Sequence, residues 1–298
     1  MSSSNLSFTP LGLIVLLRNN LSIGAPTRDP VGPGYVLLAA VMIALGLRGL
    51  VFGDFAGVWQ RIPISHLPAQ SFFIYVCAVV ELAAGVGLLV NRTARIAAAV
   101  LTAFSLLWVV LLKMPAVIYV PSMEATWADA GEIAVILAGA WTLMATLAAD
   151  PAKPEGRFLT GRAGVRNARL LLVLALPAIG LSHFFYTPET AKFVPAWLPY
   201  RSGWAYLTGT GDIAAAAGIL LGIWPRLAVT LEAAMLSVIT LLVWLPVLIR
   251  FPADSGAWSA FLMSTAIACG AWAVADSYRH VRWLSVPAIA RKPSALPA

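Results

Sequence analysis

Long apolar blocks alternate with short polar segments along the whole chain. We place eight such blocks, each of roughly 17 to 22 residues, which is about the length that an α-helix needs to cross the ~30 Å hydrocarbon core of a bilayer. The blocks cover residues 35–53, 72–90, 94–112, 130–148, 166–184, 204–222, 226–247 and 257–275. The pattern therefore predicts an all-α membrane protein with eight transmembrane helices.

A gapless shift of the sequence by 131 residues aligns its second half with its first, and residue types that seldom match by chance then coincide. The matched pairs include Pro68 with Pro199, Pro115 with Pro246, Pro121 with Pro252, Trp127 with Trp258, and Gly139-Ala140-Trp141 with Gly270-Ala271-Trp272. A unit of four spans returns to the side from which it started, so two units in series are parallel repeats. The eight helices are thus predicted to form two parallel-repeat four-helix bundles.

The repeats and the basic residues together predict five segments and an orientation. The segments are an N-terminal interfacial segment (1–34), a first four-helix repeat (35–149), a basic cytoplasmic linker (150–165), a second four-helix repeat (166–276) and a basic cytoplasmic tail (277–298). Fourteen of the twenty Lys and Arg residues fall on the side that holds both termini. The positive-inside bias therefore predicts cytoplasmic termini in a bacterial-type plasma (inner) membrane.

Composition excludes several classes of function. A chain that is 60% hydrophobic and 11% charged is too apolar for a water-soluble enzyme. The net charge of +7 is expected to serve orientation and contact with the lipid bilayer, because basic residues of membrane proteins usually do so. We accordingly expect no nucleic-acid partner. Cys77 and Cys269 lie singly in apolar blocks, which argues against a two-cysteine redox relay.

Two acidic residues occupy the middle of predicted spans. Glu81 and Asp212 lie at matching positions of the two repeats, where an ionised carboxylate costs roughly 2.5 kcal/mol or more. Each must therefore be neutral, or face a cation or a water-filled cavity. One interpretation is a structural hydrogen bond between helices, and the other is a group that handles protons or contacts a ligand.

Helix depths suggest partners for both acids. Arg48 could pair with Glu81 or extend outward to the membrane surface. The residue that matches Arg48 in the second repeat is Ile179, so Asp212 needs another partner, and Glu232 and His183 are the candidates. Two carboxyl groups in contact would share a proton. These additional polar groups make the second repeat the better candidate for chemistry.

Aromatic and histidine residues on the outward side allow two readings. Tyr75, Tyr206 and Trp197 either belong to the interfacial aromatic belt or form the wall of a pocket for a flat apolar head group such as a quinone. His66 and His183 occupy non-matching positions without ligand spacing, so we predict no metal site. No arrangement typical of a catalytic nucleophile is present in the sequence, so no catalytic residue is assigned.

The second repeat contains several short motifs of one known family. They are His183-Phe184-Phe185, the run from Phe193 to Pro199, Tyr206-Leu207-Thr208-Gly209, Asp212, Gly218 and Arg226; the first repeat has a similar set in Tyr75, Glu81, Gly87, Leu88-Leu89 and Arg95. This pattern resembles the DoxX-like membrane proteins, whose members are usually single four-helix units. The family takes its name from a membrane subunit associated with quinone-linked sulfur oxidation and a terminal oxidase.

The resemblance implies a membrane component that binds a quinone or lipid-like ligand and serves a redox protein partner. Its own chemistry would be proton transfer, with the ligand or proton site at Glu81, Asp212, Glu232, His183 and Arg48. A transporter for a small or lipidic solute, using Glu81 and Asp212 as coupling groups, is the alternative. A scaffold that anchors other membrane subunits is the third possibility.

Overall fold

The computed structural model describes residues 10–23, 32–56, 68–150, 152–153 and 157–287. Within these residues the chain forms twelve α-helices. They are α1 (Pro10–Ser22), α2 (Pro33–Phe52), α3 (Gln70–Leu89), α4 (Ala94–Leu107), α5 (Met114–Tyr119), α6 (Glu124–Leu147), α7 (Gly161–Phe185), α8 (Thr187–Phe193), α9 (Arg201–Leu221), α10 (Pro225–Ile239), α11 (Leu245–Arg250) and α12 (Ser255–Asp276). One π-helical stretch continues α4 into α5, and another continues α10 into α11.

Seven helices of the described part are long and apolar enough to cross a membrane. They are Pro33–Phe52, Gln70–Leu89, Ala94–Tyr119, Glu124–Leu147, Gly161–Phe185, Pro225–Arg250 and Ser255–Asp276. The predicted block 204–222 corresponds to α9, which has 21 residues and is not among the seven. Thr208, Thr210 and Asp212 lower the hydropathy of that helix. The all-helical membrane architecture is confirmed, whereas the eighth span stays a prediction.

The surface of the helices is apolar where a bilayer would surround it. Val79, Leu174 and Leu231 are each more than half exposed, and only 22% of the apolar window in Pro225–Arg250 is buried inside the protein. Soluble proteins rarely expose continuous apolar surfaces of this kind, because water solvates them poorly. The protein is therefore an integral membrane protein.

Helices α6 and α12 lie between the two halves of the bundle and pack against both. Helix α6 packs against α4 and α7, and α12 packs against α2 and α10. The two also contact each other, at Gly139 and Gly270, where a Cβ atom added to Gly139 would lie 2.6 Å from the Cα atom of Gly270. Small residues allow such a close crossing of membrane helices. The two halves consequently form one continuous bundle.

Several local conformations recur 131 residues apart. The π-helical stretches Trp108–Lys113 and Thr240–Trp244 each precede a proline, Pro115 or Pro246, whose ring cannot fit a regular α-helical turn. Two further pairs match: Ala69 and Tyr200 both have a positive φ immediately before a helix, and Trp127 and Trp258 donate indole hydrogen bonds to the Pro121 and Pro252 carbonyls. The duplication itself stays a prediction from the sequence.

A buried arginine connects three distant segments at one end of the bundle. Arg169 of α7 donates hydrogen bonds to the carbonyl oxygens of Leu21, Ile23 and Ser277 at 2.8, 2.7 and 2.5 Å. Its guanidinium carbon lies 3.5 Å from the centre of the Tyr278 ring, an arrangement typical of a cation–π contact. From the sequence, the basic residues are expected to serve orientation and contact with the lipid bilayer. That expectation is wrong for Arg169, because its side chain is fully buried.

Candidate functional site

A close contact between α7 and α9 positions the principal acidic residue. A Cβ atom added to Gly180 would lie 2.7 Å from the Gly209 carbonyl oxygen, and one added to Gly209 would lie 2.9 Å from the Cβ of His183. Because neither glycine has a side chain, the two helices approach closely enough for His183 and Asp212 to meet. The Nε2 atom of His183 lies 3.8 Å from Oδ2 of Asp212.

His183 lies between a hydroxyl group and the buried carboxyl group. Its Nδ1 atom is 3.3 Å from Oγ1 of Thr208, and that hydroxyl donates to the carbonyl oxygen of Trp204 or Ala205. Since the hydroxyl hydrogen is already committed, we assign Nδ1 as the donor to Thr208. Nε2 is then an acceptor that faces Asp212. The side chain of His183 is 18% exposed and that of Asp212 is 2% exposed, so the imidazole connects the carboxyl group with the surroundings of the bundle.

Glu232 of α10 reaches the same carboxyl group from another side. The carboxyl groups of Asp212 and Glu232 lie close enough to interact electrostatically, and both residues are buried. Among the described residues, no N–H or hydroxyl group donates to either carboxyl. A hydrogen bond between two carboxyl groups requires a proton on one of them. The pair is therefore able to hold one shared proton and to exchange it.

Sequence reasoning missed a third carboxyl group near this pair. Glu132 of α6 interacts electrostatically with Asp212 and its side chain is exposed. The available signal was an acid at the third position of the predicted span 130–148. The 131-residue shift places Glu132 opposite Met263 and Glu232 opposite Leu101. Met263 and Leu101 belong to the same apolar core cluster, so each of these two acids near Asp212 matches an apolar residue of the other repeat.

The matching acid of the first half has a different environment. Glu81 is buried and borders a space of about 10 Å³, which it shares with Cys77, Asp54 and other residues of α2 and α3. A space of this size holds about one water molecule. Arg48 and Cys77 lie within electrostatic range of Glu81, whereas Glu232, Glu132 and His183 lie near Asp212. Glu81 therefore has a cation near it, and Asp212 has other carboxyl groups near it.

The ion pair of Arg48 is with Asp54 rather than with Glu81. Nη1 of Arg48 lies 2.5 Å from Oδ1 of Asp54, and Nη2 donates to the hydroxyl and carbonyl oxygens of Ser255 at 2.6 and 3.1 Å. The hydroxyl of Ser255 in turn donates to the Asp54 carboxylate. Gly53 ends α2 in a left-handed conformation, which turns the chain and brings Asp54 back over the helix end. Arg48 is buried, so it does not extend to the membrane surface.

The predicted pocket wall is largely on the outside of the molecule. Tyr75 and Tyr206 are about half exposed and Trp197 is more exposed still. The ring of Tyr206 lies 5.7 Å from that of Phe184, the residue that follows His183, so one aromatic pair does adjoin the histidine. His66 lies outside the described residues. In the described part of the chain, no three His, Cys, Asp or Glu side chains are grouped in a way that could hold a metal ion.

Family comparisons address the two halves separately. Residues 36–114 match the model of the DoxX family. The resemblance predicted from the motifs is therefore confirmed for α2 to α4, which is most of the first three spans. Residues 172–267 match a domain of unknown function (DUF8561), which covers most of α7, all of α8 to α11 and half of α12. Neither a curated protein nor a solved structure gives a significant match to the chain.

Proposed function

We propose that this DoxX-containing membrane protein exchanges protons with a quinone or lipid-like molecule at a site in its second half. The observation that carries the proposal is the position of His183, between the exposed surface and the Asp212–Glu232 pair. An imidazole can accept a proton on one nitrogen while releasing one from the other. The buried pair acts as the proton store, and His183 acts as the group that transfers the proton to or from the ligand.

The residues around His183 suit a flat, lipid-soluble ligand. Phe184 and Tyr206 form an aromatic pair with both rings about 40 to 50% exposed, next to a polar imidazole. An apolar surface with one convergent polar group is typical of sites that orient such molecules. A bound quinone would supply two-electron, two-proton chemistry, with the electrons exchanged with a redox protein partner. Of the chain's own residues, Phe184 and Tyr206 would support the ring, and Nδ1 of His183 would hydrogen-bond a ligand oxygen in place of the Thr208 hydroxyl.

The direct test is the identity of what stays bound after gentle purification. We would extract the protein in a mild detergent and identify co-purified small molecules by mass spectrometry and visible absorption. His183→Ala and Asp212→Asn should each reduce a stoichiometric quinone at least about tenfold, as expected for the loss of an interaction of about 1.4 kcal/mol. Glu81→Gln is the matched control from the first half and should retain it. If the wild-type protein carries only bulk phospholipid, the quinone proposal is wrong.

A proton-coupled transporter is the second candidate, and the position of Glu132 favours it. This carboxyl group is exposed and interacts with Asp212. Asp212 thus has titratable neighbours on three helices, which are Glu132 of α6, His183 of α7 and Glu232 of α10. Transport would make solute movement in proteoliposomes depend on the pH gradient, and Glu132→Met should abolish that dependence. The methionine is chosen because Met263 stands at the matching position. If a protein partner co-purifies and no carboxyl variant changes either assay, the scaffold interpretation stands instead.

We also propose the arrangement in the membrane. Counting α9 as a span gives eight, with both termini in the cytoplasm of a bacterial-type plasma membrane, which agrees with the bias of basic residues. The recurring π-helical stretches, left-handed residues and indole hydrogen bonds support an origin by duplication of a four-helix unit. Reactivity of single cysteines introduced at residues 92 and 224, compared with one at residue 253, tests the orientation.

A further inference from the structure

A small space beside Glu81 lies between α2, the turn after it and α3. Its volume is about 10 Å³, which is enough for one water molecule. On the side of α3 it is lined by Cys77 and Glu81, which are four residues apart on one face of that helix. Asp54 lines it on the other side, in the turn that follows α2. The space therefore extends from the end of α2 toward a buried acid.

The carboxyl group of Glu81 is open to this space. Both carboxyl oxygens of Asp212 and of Glu232 are closed to a water-sized probe, whereas those of Glu81 are not. Cys77 adds a thiol, a weak donor and acceptor, and the side chain of Asp54 is nearly half exposed. A buried water needs two to four polar partners. The space offers such partners and adjoins the surface of the protein beside Asp54.

One guanidinium serves two acids at this place. Arg48 forms its ion pair with Asp54 and donates to Ser255, and the charge that acts on Glu81 is that same guanidinium. Helix α4, which also packs against α3, has a single titratable residue, Arg95, in its first turn. A buried carboxylate without its own counter-ion is costly. A protonated Glu81 therefore fits an Arg48 that stays with Asp54.

The second half has an imidazole where the first half has an apolar ring. The 131-residue shift aligns Phe52 with His183, and Cys77 with Thr208. In the second half the imidazole lies between Thr208 and Asp212. In the first half the residue next to the acid is the thiol of Cys77, and the water-sized space adjoins both. The role proposed for His183 agrees with a water in this space, whereas the size of the space and the burial of Glu81 are independent of that role.

We propose that this space holds one water molecule, through which Glu81 exchanges its proton with the surface beside Asp54. The carboxyl O–H donates to the water, which takes that proton and releases another toward the surface. The carboxylate that remains lies within reach of the charge of Arg48, which both acids then share. The first half thus has a proton-exchange site of its own, separate from the Asp212–Glu232 pair.

The test follows the Glu81 proton by infrared spectroscopy of the full-length protein in nanodiscs. When D₂O replaces H₂O, the carbonyl band of a protonated carboxyl group shifts to lower frequency. The band that is absent from Glu81→Gln but present in Asp212→Asn belongs to Glu81. In Cys77→Leu, whose larger side chain fills the space, this band should shift at least about tenfold more slowly than in the wild type. Cys77→Ser is the matched control, because it keeps the space and should exchange as fast as the wild type.

A second variant fills the space from the other side. Ala56 also lines it, so Ala56→Leu should slow the exchange as Cys77→Leu does, and melting temperatures near that of the wild type would show that both variants fold. The band of the Asp212–Glu232 pair should exchange at its wild-type rate in both, whether or not the protein retains a quinone. Absence of a Glu81 band from the wild type at neutral pH would overturn the proposal, because the acid would then be ionised. Equal exchange rates in the wild type and both filled variants would also overturn it.

Discussion

Gly139 and Gly270 touch where α6 and α12 cross, although 131 residues separate them in the sequence. Each helix packs against both halves of the bundle, so this crossing is one of the contacts that hold the halves together. A Cβ atom on Gly270 would lie 2.7 Å from the Val135 carbonyl oxygen. Backbone atoms cannot move aside as a flexible side chain can. The crossing therefore leaves no room for a Cβ atom at either glycine.

Gly139→Ala should destabilise the protein strongly. The added methyl group would overlap the backbone of α12, and overpacking of a well-packed contact costs typically about 1–3 kcal/mol. We expect a lower melting temperature in detergent, measured by scanning fluorimetry. Gly203→Ala is the control, because a Cβ at that position in α9 meets only a side-chain atom at 3.7 Å. Equal melting temperatures for the two variants would contradict the close crossing.

The Asp212–Glu232 pair should give a spectroscopic signal of a shared proton. Difference infrared spectroscopy during a pH titration should detect the carbonyl band of a protonated carboxyl group in the wild type. Asp212→Asn and Glu232→Leu should each alter that band, and the double variant should resemble the stronger single variant, because the two groups titrate as a unit. Leucine is chosen since Leu101 stands at the matching position. Independent, additive changes would show that the two carboxyls do not share a proton.

The sequence predicts the spans better than the contacts. The predicted block 35–53 differs little from Pro33–Phe52, since a run of apolar residues ends where the hydrocarbon layer ends. The block at 130–148 begins six residues late, because the polar first turns of α6, from Glu124 onward, reduce its apparent hydropathy. Depth along the helices also predicts that Glu232 and His183 are neighbours of Asp212. In these cases the positions of residues along the sequence are enough to predict the feature that the structure shows.

Other features depend on three-dimensional detail that no spacing conveys. The sequence allows Arg48 to pair with Glu81 or to extend past the outer end of its helix. In the structure it does neither, because the left-handed conformation of Gly53 places Asp54 beside the guanidinium. Sequence reasoning missed Glu132 because a single acidic residue in a long apolar segment does not change the prediction of a transmembrane helix. Its relation to Asp212 follows only from the packing of α6 against the second half. Side-chain direction at helix ends and contacts between the halves are thus the parts that need the structure.

The two members of the Arg48–Asp54 ion pair should respond unequally to substitution. The side chain of Arg48 is 3% exposed, whereas that of Asp54 is 45% exposed. Asp54→Asn leaves a buried cation without its counter-ion, a change that costs about 3–5 kcal/mol for fully buried pairs. The value here should fall toward the lower end, because the carbonyl oxygens of Asp54 and Ser255 still accept from the guanidinium. Arg48→Met leaves an acid that water can reach, so it should cost less.

Chemical and thermal unfolding of the purified variants would test this order. The double variant, in which Arg48→Met accompanies Asp54→Asn, should be close to Arg48→Met alone, since no buried charge remains. Ser255→Ala removes one hydrogen bond and should have the smallest effect. A larger loss for Arg48→Met than for Asp54→Asn would mean that packing of the arginine side chain, rather than its charge, stabilises the end of α2.

The buried guanidinium of Arg169 should be irreplaceable by lysine. Its planar fork reaches the carbonyl oxygens of Leu21 and Ile23 on one side and Ser277 on the other, and an ammonium group cannot reproduce that geometry. Each charge-assisted hydrogen bond that is lost costs about 1.5–3 kcal/mol. Arg169→Lys should therefore release α1 from α7, with faster proteolytic removal of the N-terminal segment and a lower melting temperature. Arg92→Lys, at an exposed position in the turn between α3 and α4, should change neither. If Arg169→Lys is digested at the same rate as the wild type, the apolar contacts of Leu21 are enough to hold α1 in place. Leu21 is itself buried in the core of the second half.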